Sequence, residues 1–180
     1  MRTSKKAEVL DSIVAIIEES GVAGVTYDAV SARSGMSKSG LIYHFPTREA
    51  MLRDVHDFMA QRWEEGLLEA LGDDDAGSAD AKLRANLRVS QNAATRAELM
   101  MTIDASSDPE MYALWAEKLD RWTCSARDIA TDKRACQAYL VQLIADGLWA
   151  HDYINGRHLS SEQRAVLVEA AIALIPTDAS

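Results

Sequence analysis

Apolar residues recur along most of the chain with the 3.6-residue period of amphipathic helices, and no stretch shows the strict alternation of a strand. Val9, Leu10, Ile13, Val14 and Ile17 line one face of a helix over residues 5 to 20, which Ser20-Gly21 ends. Thr26 caps a short helix from Tyr27 to Ser34, with Asp28 placed favourably against its dipole. Gly35 closes that helix, because a sharp reversal favours a residue that adopts positive φ freely. Ser37 caps the next, which runs to Phe45, where Pro46 stops it. Thr47 then caps a long helix with the stripe Met51, Leu52, Val55, Phe58, Met59, Trp63, Leu67 and Leu71. At its rise per residue that helix is roughly 35 Å long.

The stretch "GDDDAGSAD" (72 to 80) is a loop by composition, and its aspartates lack the spacing and closing glutamate of a calcium loop. Leu83, Leu87, Ser90 and Ala94 mark a further helix, and Leu99, Met100 and Ile103 a short one. Asp108-Pro109 is a helix start, followed by the stripe Met111, Trp115, Leu119, Trp122, Ala126 and Ile129. Residues 133 to 154 carry Cys136, Leu140, Leu143, Gly147 and Ile154. Ser160 and Gln163 form a capping box for a last helix over 161 to 175, ending before Pro176. The pattern predicts an all-α fold of about nine helices, with a small module over 1–46 and a larger helical body over 47–180.

Composition narrows the function classes. At 180 residues and 48% hydrophobic content the chain can bury a substantial core, and its formal charge of -9 argues against a protein that coats nucleic acid. The charge is uneven: the first fifty residues hold Arg2, Lys5, Lys6, Arg33, Lys38 and Arg48 against six acids, so the negative excess belongs to the remainder. A polyanion is therefore tolerated at the N-terminal end if those cations share a face. No apolar run approaches the length of a membrane span, and the basic N-terminus lacks a signal-peptide apolar block, so a cytoplasmic location is expected. Cys124 and Cys136 belong to no CxxC pair, which argues against a disulfide framework or a zinc site. There is no HExxH, GxSxG, phosphate loop or catalytic carboxylate pair, and His44, His56, His151 and His158 stand in unrelated contexts. No catalytic residue, metal or cofactor is expected.

The chemistry concentrates in "SGMSKSGLIYHFPTREAML". Helix, glycine turn and second short helix make the helix-turn-helix plan, whose second helix lies in the DNA major groove. Ser37, Lys38 and Ser39 occupy the first turn of that helix, where backbone N–H groups favour a phosphate and side chains reach base edges. Gly40 removes bulk where a duplex comes closest. Tyr43 and His44 follow one turn on as phosphate donors, and Arg48 adds another contact, leaving Leu41, Ile42 and Phe45 to pack.

The longer segment "TYDAVSARSGMSKSGLIYHFPTREAML" resembles the N-terminal domain of TetR-family transcriptional regulators, over about residues 5 to 55. Lys38, Gly40, Tyr43, His44, Phe45 and Glu49 match the family's recognition helix and the start of its fourth helix. Arg48 stands where lysine is usual and Ser31 where alanine is more typical, both mild departures. The resemblance implies operator DNA as a partner, with Thr26, Tyr27, Ser37, Lys38, Ser39, Gly40, Tyr43, His44 and Arg48 at the interface. It also implies a homodimer through 133–154 and 161–175, which would set two recognition helices about 34 Å apart on a palindrome.

More narrowly, "MRTSKKAEVL", "SKSGLIYHFP", "LIADGLWAHDYI" and "LIP" look like repressors that bind bulky cationic aromatic drugs and control an efflux transporter. Trp63, Trp115 and Trp122, with Met59, Met100, Met101 and Met111, offer an adaptable aromatic and thioether wall. Asp104 and Asp146 can neutralise a cation, and Leu67 and Leu143 complete the expected lining. Two other readings remain: an acyl or lipid effector, and a helical interaction protein whose DNA module is vestigial.

Overall fold

The computed structural model describes residues 5–176; Arg2 and the rest of "MRTS", and the four residues after Pro176, lie outside the described part. The described residues form nine helices and no strand: α1 (Lys5–Ser20), α2 (Tyr27–Ser34), α3 (Lys38–His44), α4 (Arg48–Leu71), α5 (Ala79–Ser90), α6 (Arg96–Ser106), α7 (Pro109–Trp122), α8 (Lys133–Asn155) and α9 (Ser161–Ile172). A 3-10 turn, Val22–Gly24, follows α1. Contacts divide the chain into two compact units that cut across the expected 1–46 and 47–180 parts. One holds the chain up to Gln61 with Thr95–Trp115; the other holds Arg62–Ala94 with the chain from Ala116.

The first unit is built on the apolar face of α1. Val9, Ile13 and Ile17 meet Val30 of α2, Leu41 and Phe45 of the α3 region, and Met51 and Val55 of α4. Ala97 and Met101 of α6 complete this core. A reciprocal latch fixes α6 against the end of α1. The Glu18 carboxylate accepts the N–H of Ala97 at 2.7 Å and of Arg96 at 3.3 Å, capping α6 at its positive end, while Arg96 Nη1 donates to the carbonyls of Glu18 and Glu19 at 2.9 and 3.1 Å.

Gly21 makes the turn between α1 and the 3-10 segment at φ 76°, and a Cβ there would lie 2.9 Å from Met100 Cε. The backbone conformation requires glycine, and the end of the flexible Met100 side chain would have to shift for any larger residue. Gly21→Ala should therefore destabilise the first unit by about 1 to 3 kcal/mol in urea unfolding, whereas Gly72→Ala, where the added methyl meets nothing within 4 Å, should pay only for its positive φ.

In the second unit Leu83 and Leu87 of α5 pack on Val141, Ala145 and Leu148 of α8 and Val168 and Ala171 of α9. Leu67 and Leu71 of α4 join Ala81, Ala85 and Trp122 in a second cluster. Buried Asn86 donates to the Trp122 carbonyl at 2.7 Å, and the Ala94 N–H donates to the Trp149 carbonyl at 2.7 Å. Buried Arg164 of α9 donates to Asp152 Oδ1 at 2.5 Å and to the Leu148 carbonyl at 2.9 Å, tying the last turns of α8 to α9.

Most boundaries follow the caps read from the sequence: Thr26, Ser37, Thr47 and Ser160 all accept a backbone N–H of the helix they precede. Four details differ, the first being that α9 ends at Ile172 and not at 175, with Leu174 and Ile175 closing in turns onto Ala171 and Ile172. The α7 stripe stops at Trp122, because residues 123–132 turn back on themselves with Thr131 and Asp132 N–H groups donating to the Asp128 carbonyl. α5 ends at Ser90, leaving Ala94 beyond it. α6 is longer than its apolar residues suggest, since Thr95 and Glu98 form a capping box that starts it early. Among the described residues no helix is long and apolar enough to cross a membrane.

Candidate nucleic-acid interface and effector site

The turn between α2 and α3 is held from inside. Gly35 caps α2 in the left-handed region at φ 71°, and the Ser31 hydroxyl donates to the Met36 carbonyl at 2.7 Å. Ser37 Oγ then accepts the Gly40 N–H at 3.2 Å and lies 3.1 Å from Ser39 Oγ, so both hydroxyls sit at the first turn of α3. A Cβ on Gly40 would lie 3.0 Å from Met36 Cγ, so this glycine answers to the turn behind it as well as to space in front.

Only Leu41 and Phe45 of the α3 segment are buried. Ile42 is 52% exposed and does not pack inward as expected. The physical reason is period: in so short a helix, residues four apart share the core face, and Ile42 falls beside Tyr43 on the open one. Tyr43 is 83% exposed, and the His44 ring meets its edge at 5.3 Å between centroids. An exposed face carrying two serines, a lysine, a tyrosine and a histidine has donors for phosphate and base edges and offers little to a core.

Three of the expected DNA residues have internal duties. The Tyr27 hydroxyl donates to the Phe45 carbonyl at 2.5 Å, joining α2 to the end of α3. Arg48 turns inward, with Nε donating to the Val25 carbonyl at 3.0 Å and Nη2 to the Val22 carbonyl at 2.7 Å. Thr26 Oγ1 caps α2. Lys38 pairs with Asp28 on the same surface, so its ammonium already has an anionic partner.

The expected effector residues fall in two groups. Met59, Met100, Asp104 and Trp115 belong to the first unit, where Met59 is buried and Met100 and Trp115 pack against the same core. There the Trp115 indole N–H donates to His56 Nδ1 at 3.1 Å, and His56 Nε2 lies 3.1 Å from Asp104 Oδ2. His56 was not among the expected site residues, and a lone histidine inside a helical stripe gives no sign of its partners.

Trp63, Leu67, Trp122, Leu143 and Asp146 belong to the second unit. Leu67 and Trp122 are buried in one cluster, with Trp63 packed against it. Beside them Glu64 accepts Lys118 Nζ at 3.0 Å, the Trp122 indole N–H at 3.1 Å and Arg121 Nη2 at 2.9 Å; the Lys118 and Trp122 bonds hold its carboxyl below the ordinary value. Leu143 and Asp146 lie on the open side of α8. Partial burial raises the Asp146 carboxyl, against a lowering hydrogen bond from Gln142 at 2.9 Å.

Residues 9–55 match the family model for bacterial regulatory proteins of the tetR family, and residues 77–176 match the tetracyclin repressor-like C-terminal domain. The chain belongs to the TetR family. The nine-helix fold of its described residues is the TetR fold, and it is a DNA-binding transcriptional regulator, not an enzyme. The HTH-type transcriptional regulator BetI of Escherichia coli (strain K12) is 22% identical over 190 residues, spanning 99% of this TetR-family chain and 97% of BetI. A transcriptional regulator from Saccharomonospora viridis, solved in complex with choline, shares the fold at a TM-score of 0.72 and 16% identity, over 93% of this chain and 95% of that one. The multidrug binding protein EbrR, solved with imidazole, does so at a TM-score of 0.64 and 16% identity, over 99% of both chains.

Proposed function

We propose that the protein is a cytoplasmic, dimeric repressor that binds a palindromic operator through α3 and leaves it when an organic cation occupies the helical body. The exposed first turn of α3, with Tyr43 outermost, carries the DNA half of this reading. Ser37, Lys38, Ser39, Tyr43 and His44 supply the contacts, while Tyr27, Thr26 and Arg48 hold the turn in shape behind them.

Dimerisation through α8 and α9 is supported by what those helices leave uncovered. Leu140, Leu143 and Ile154 on α8 and Val166 and Leu167 on α9 are between 43% and 75% exposed. Gly147 lies between Leu143 and Ile154 in sequence and Ala170 follows Leu167, and a Cβ at Gly147 would meet nothing within 4 Å, leaving room for close helix approach. Ala171, by contrast, is buried in the unit's own core.

The effector reading rests on Asp104, linked through His56 to Trp115 in the first unit, whose core also involves Met59 and Met100. A bulky aromatic cation fits that chemistry and would suit control of a multidrug efflux gene, and EbrR is a multidrug binding protein of the same fold. A small quaternary ammonium is a second reading, favoured by the choline complex of the S. viridis regulator.

Titration with ethidium and with choline, in the presence and absence of upstream DNA, tests the whole scheme. Saturable binding with release of DNA is expected, and affinity for DNA should fall with salt at a log-log slope of about -0.9 per phosphate neutralised. DNA retained without response to either cation would turn the effector assignment towards acyl ligands. Trp63→Ala should weaken induction and leave operator affinity near the parent value, because Trp63 lies on the helix that begins at Arg48 but outside the DNA module. Equal loss of both would mark Trp63 as structural.

A further inference from the structure

We infer that His56 is the positioning residue of the effector site, orienting the Asp104 carboxylate as an anchor for a monovalent organic cation. The inference rests on the organic-cation reading above. Its starting point is a fully buried imidazole, 0% exposed. A buried polar ring is tolerated only when its nitrogens are satisfied, and both of these are.

The partners also settle the tautomer. Indole N–H can only donate, so His56 Nδ1 must be the unprotonated acceptor of the Trp115 bond. A neutral ring then carries its proton on Nε2, directed at Asp104 Oδ2. The ring thus lends Asp104 an oriented hydrogen bond. Nδ1 is thereby committed to the Trp115 bond, which also fixes the plane of the ring.

Asp104 is unlike the other acids considered for the effector. Glu64 is already neutralised by Lys118 and Arg121. Asp146 stands on the open side of α8. Asp104 is 38% exposed at its side chain, and among the described residues no lysine or arginine is paired with its carboxylate, whose partner is His56. One oxygen is oriented by His56 and the other is available, in the unit that also presents Trp115, Met59 and Met100. The three members come from α7, α4 and α6, so occupancy of the site is felt by the helix that begins at Arg48. The arrangement follows the general logic by which an outer partner fixes the orientation of a charged group that meets the ligand.

The test uses the full-length protein and ethidium's own fluorescence, with the uncharged aromatic N-phenyl-1-naphthylamine as a control probe. Asp104→Asn and His56→Phe should each weaken ethidium binding about tenfold or more while leaving the neutral probe within about threefold. His56→Gln, which keeps a donor towards Asp104, should retain most of the affinity. Nitrogen-15 NMR of His56 should show a protonated Nε2 and a bare Nδ1. If the parent protein binds ethidium and both Asp104→Asn and His56→Phe bind it equally well, the inference fails and the cation reading survives on another acid. If the parent protein binds neither ethidium nor choline, both fail. A charged or Nδ1-protonated His56, or loss of both probes together in Asp104→Asn, would also overturn it.

Discussion

Arg164→Ala should cost the second unit roughly 3 to 5 kcal/mol, the range expected when one partner of a buried ion pair is removed. The Arg164 and Asp152 side chains are 5% and 8% exposed, and the guanidinium serves three acceptors at once: Asp152 Oδ1, the Leu148 carbonyl and, at 3.4 Å, the Ser90 carbonyl. Deleting it leaves a carboxylate and two carbonyls at the meeting of α5, α8 and α9 without their donor. Replacing Arg164 and Asp152 together by Met and Leu should be far milder, since the charge left behind is then removed too. Urea unfolding of the three proteins, followed by far-ultraviolet circular dichroism, distinguishes these outcomes. Equal losses in the single and double variants would show that packing, and not the pair, sets the cost.

The same pair has a pH signature. Burial by itself would raise the Asp152 carboxyl, but Arg164, the Leu159 N–H and His158 outweigh it and hold the carboxyl below its ordinary value. A depressed carboxyl contributes stability that is fully present above the unfolded pKa and is lost as pH falls through the folded one. The contribution should therefore be complete above about pH 4 and disappear below it. Asp152→Asn should flatten that acid limb.

The second large effect belongs to the uncovered faces of α8 and α9. Leu140→Glu combined with Leu167→Glu places charge on two side chains that are 56% and 43% exposed and touch little within their own chain. Fold stability should change by less than about 1 kcal/mol, as for surface positions generally. Sedimentation should show a monomer, and operator affinity should fall on the order of 100-fold or more, because the second half-site is no longer reached intramolecularly. A dimer that persists in the doubly charged protein would move the interface elsewhere.

The helices and most of their ends were legible because period and caps are local properties: Ser37, Gly35, Pro46 and Ser160 act on the next turn of chain and need no distant partner. Thr95 escaped because its box partner Glu98 was overshadowed by the apolar residues after it, and α7 was overextended because Ala126 and Ile129 continue its stripe in sequence after the backbone has turned away. At the candidate sites the types of residue were readable and their duties were not. Arg48 reads as a phosphate ligand from its place at the start of the long helix, yet its guanidinium commits two donors to carbonyls 23 and 26 residues earlier in the chain. Nothing around position 56 announces that its ring will lie between a tryptophan 59 residues away and an aspartate 48 residues away. Such tertiary pairings leave no periodic trace.

The latch between Glu18 and the start of α6 has a consequence for how this chain can be cut. Family matching ends the DNA-binding segment at residue 55, but the core beneath α1 is completed by Ala97 and Met101, and the carbonyls at the end of α1 find their donor in Arg96. A fragment stopping at 55 would carry every residue of the recognition helix and still present a bare apolar flank to water. During synthesis that flank stays open until about forty further residues have left the ribosome. The reader of DNA is contiguous in sequence, while the body that keeps it folded is not.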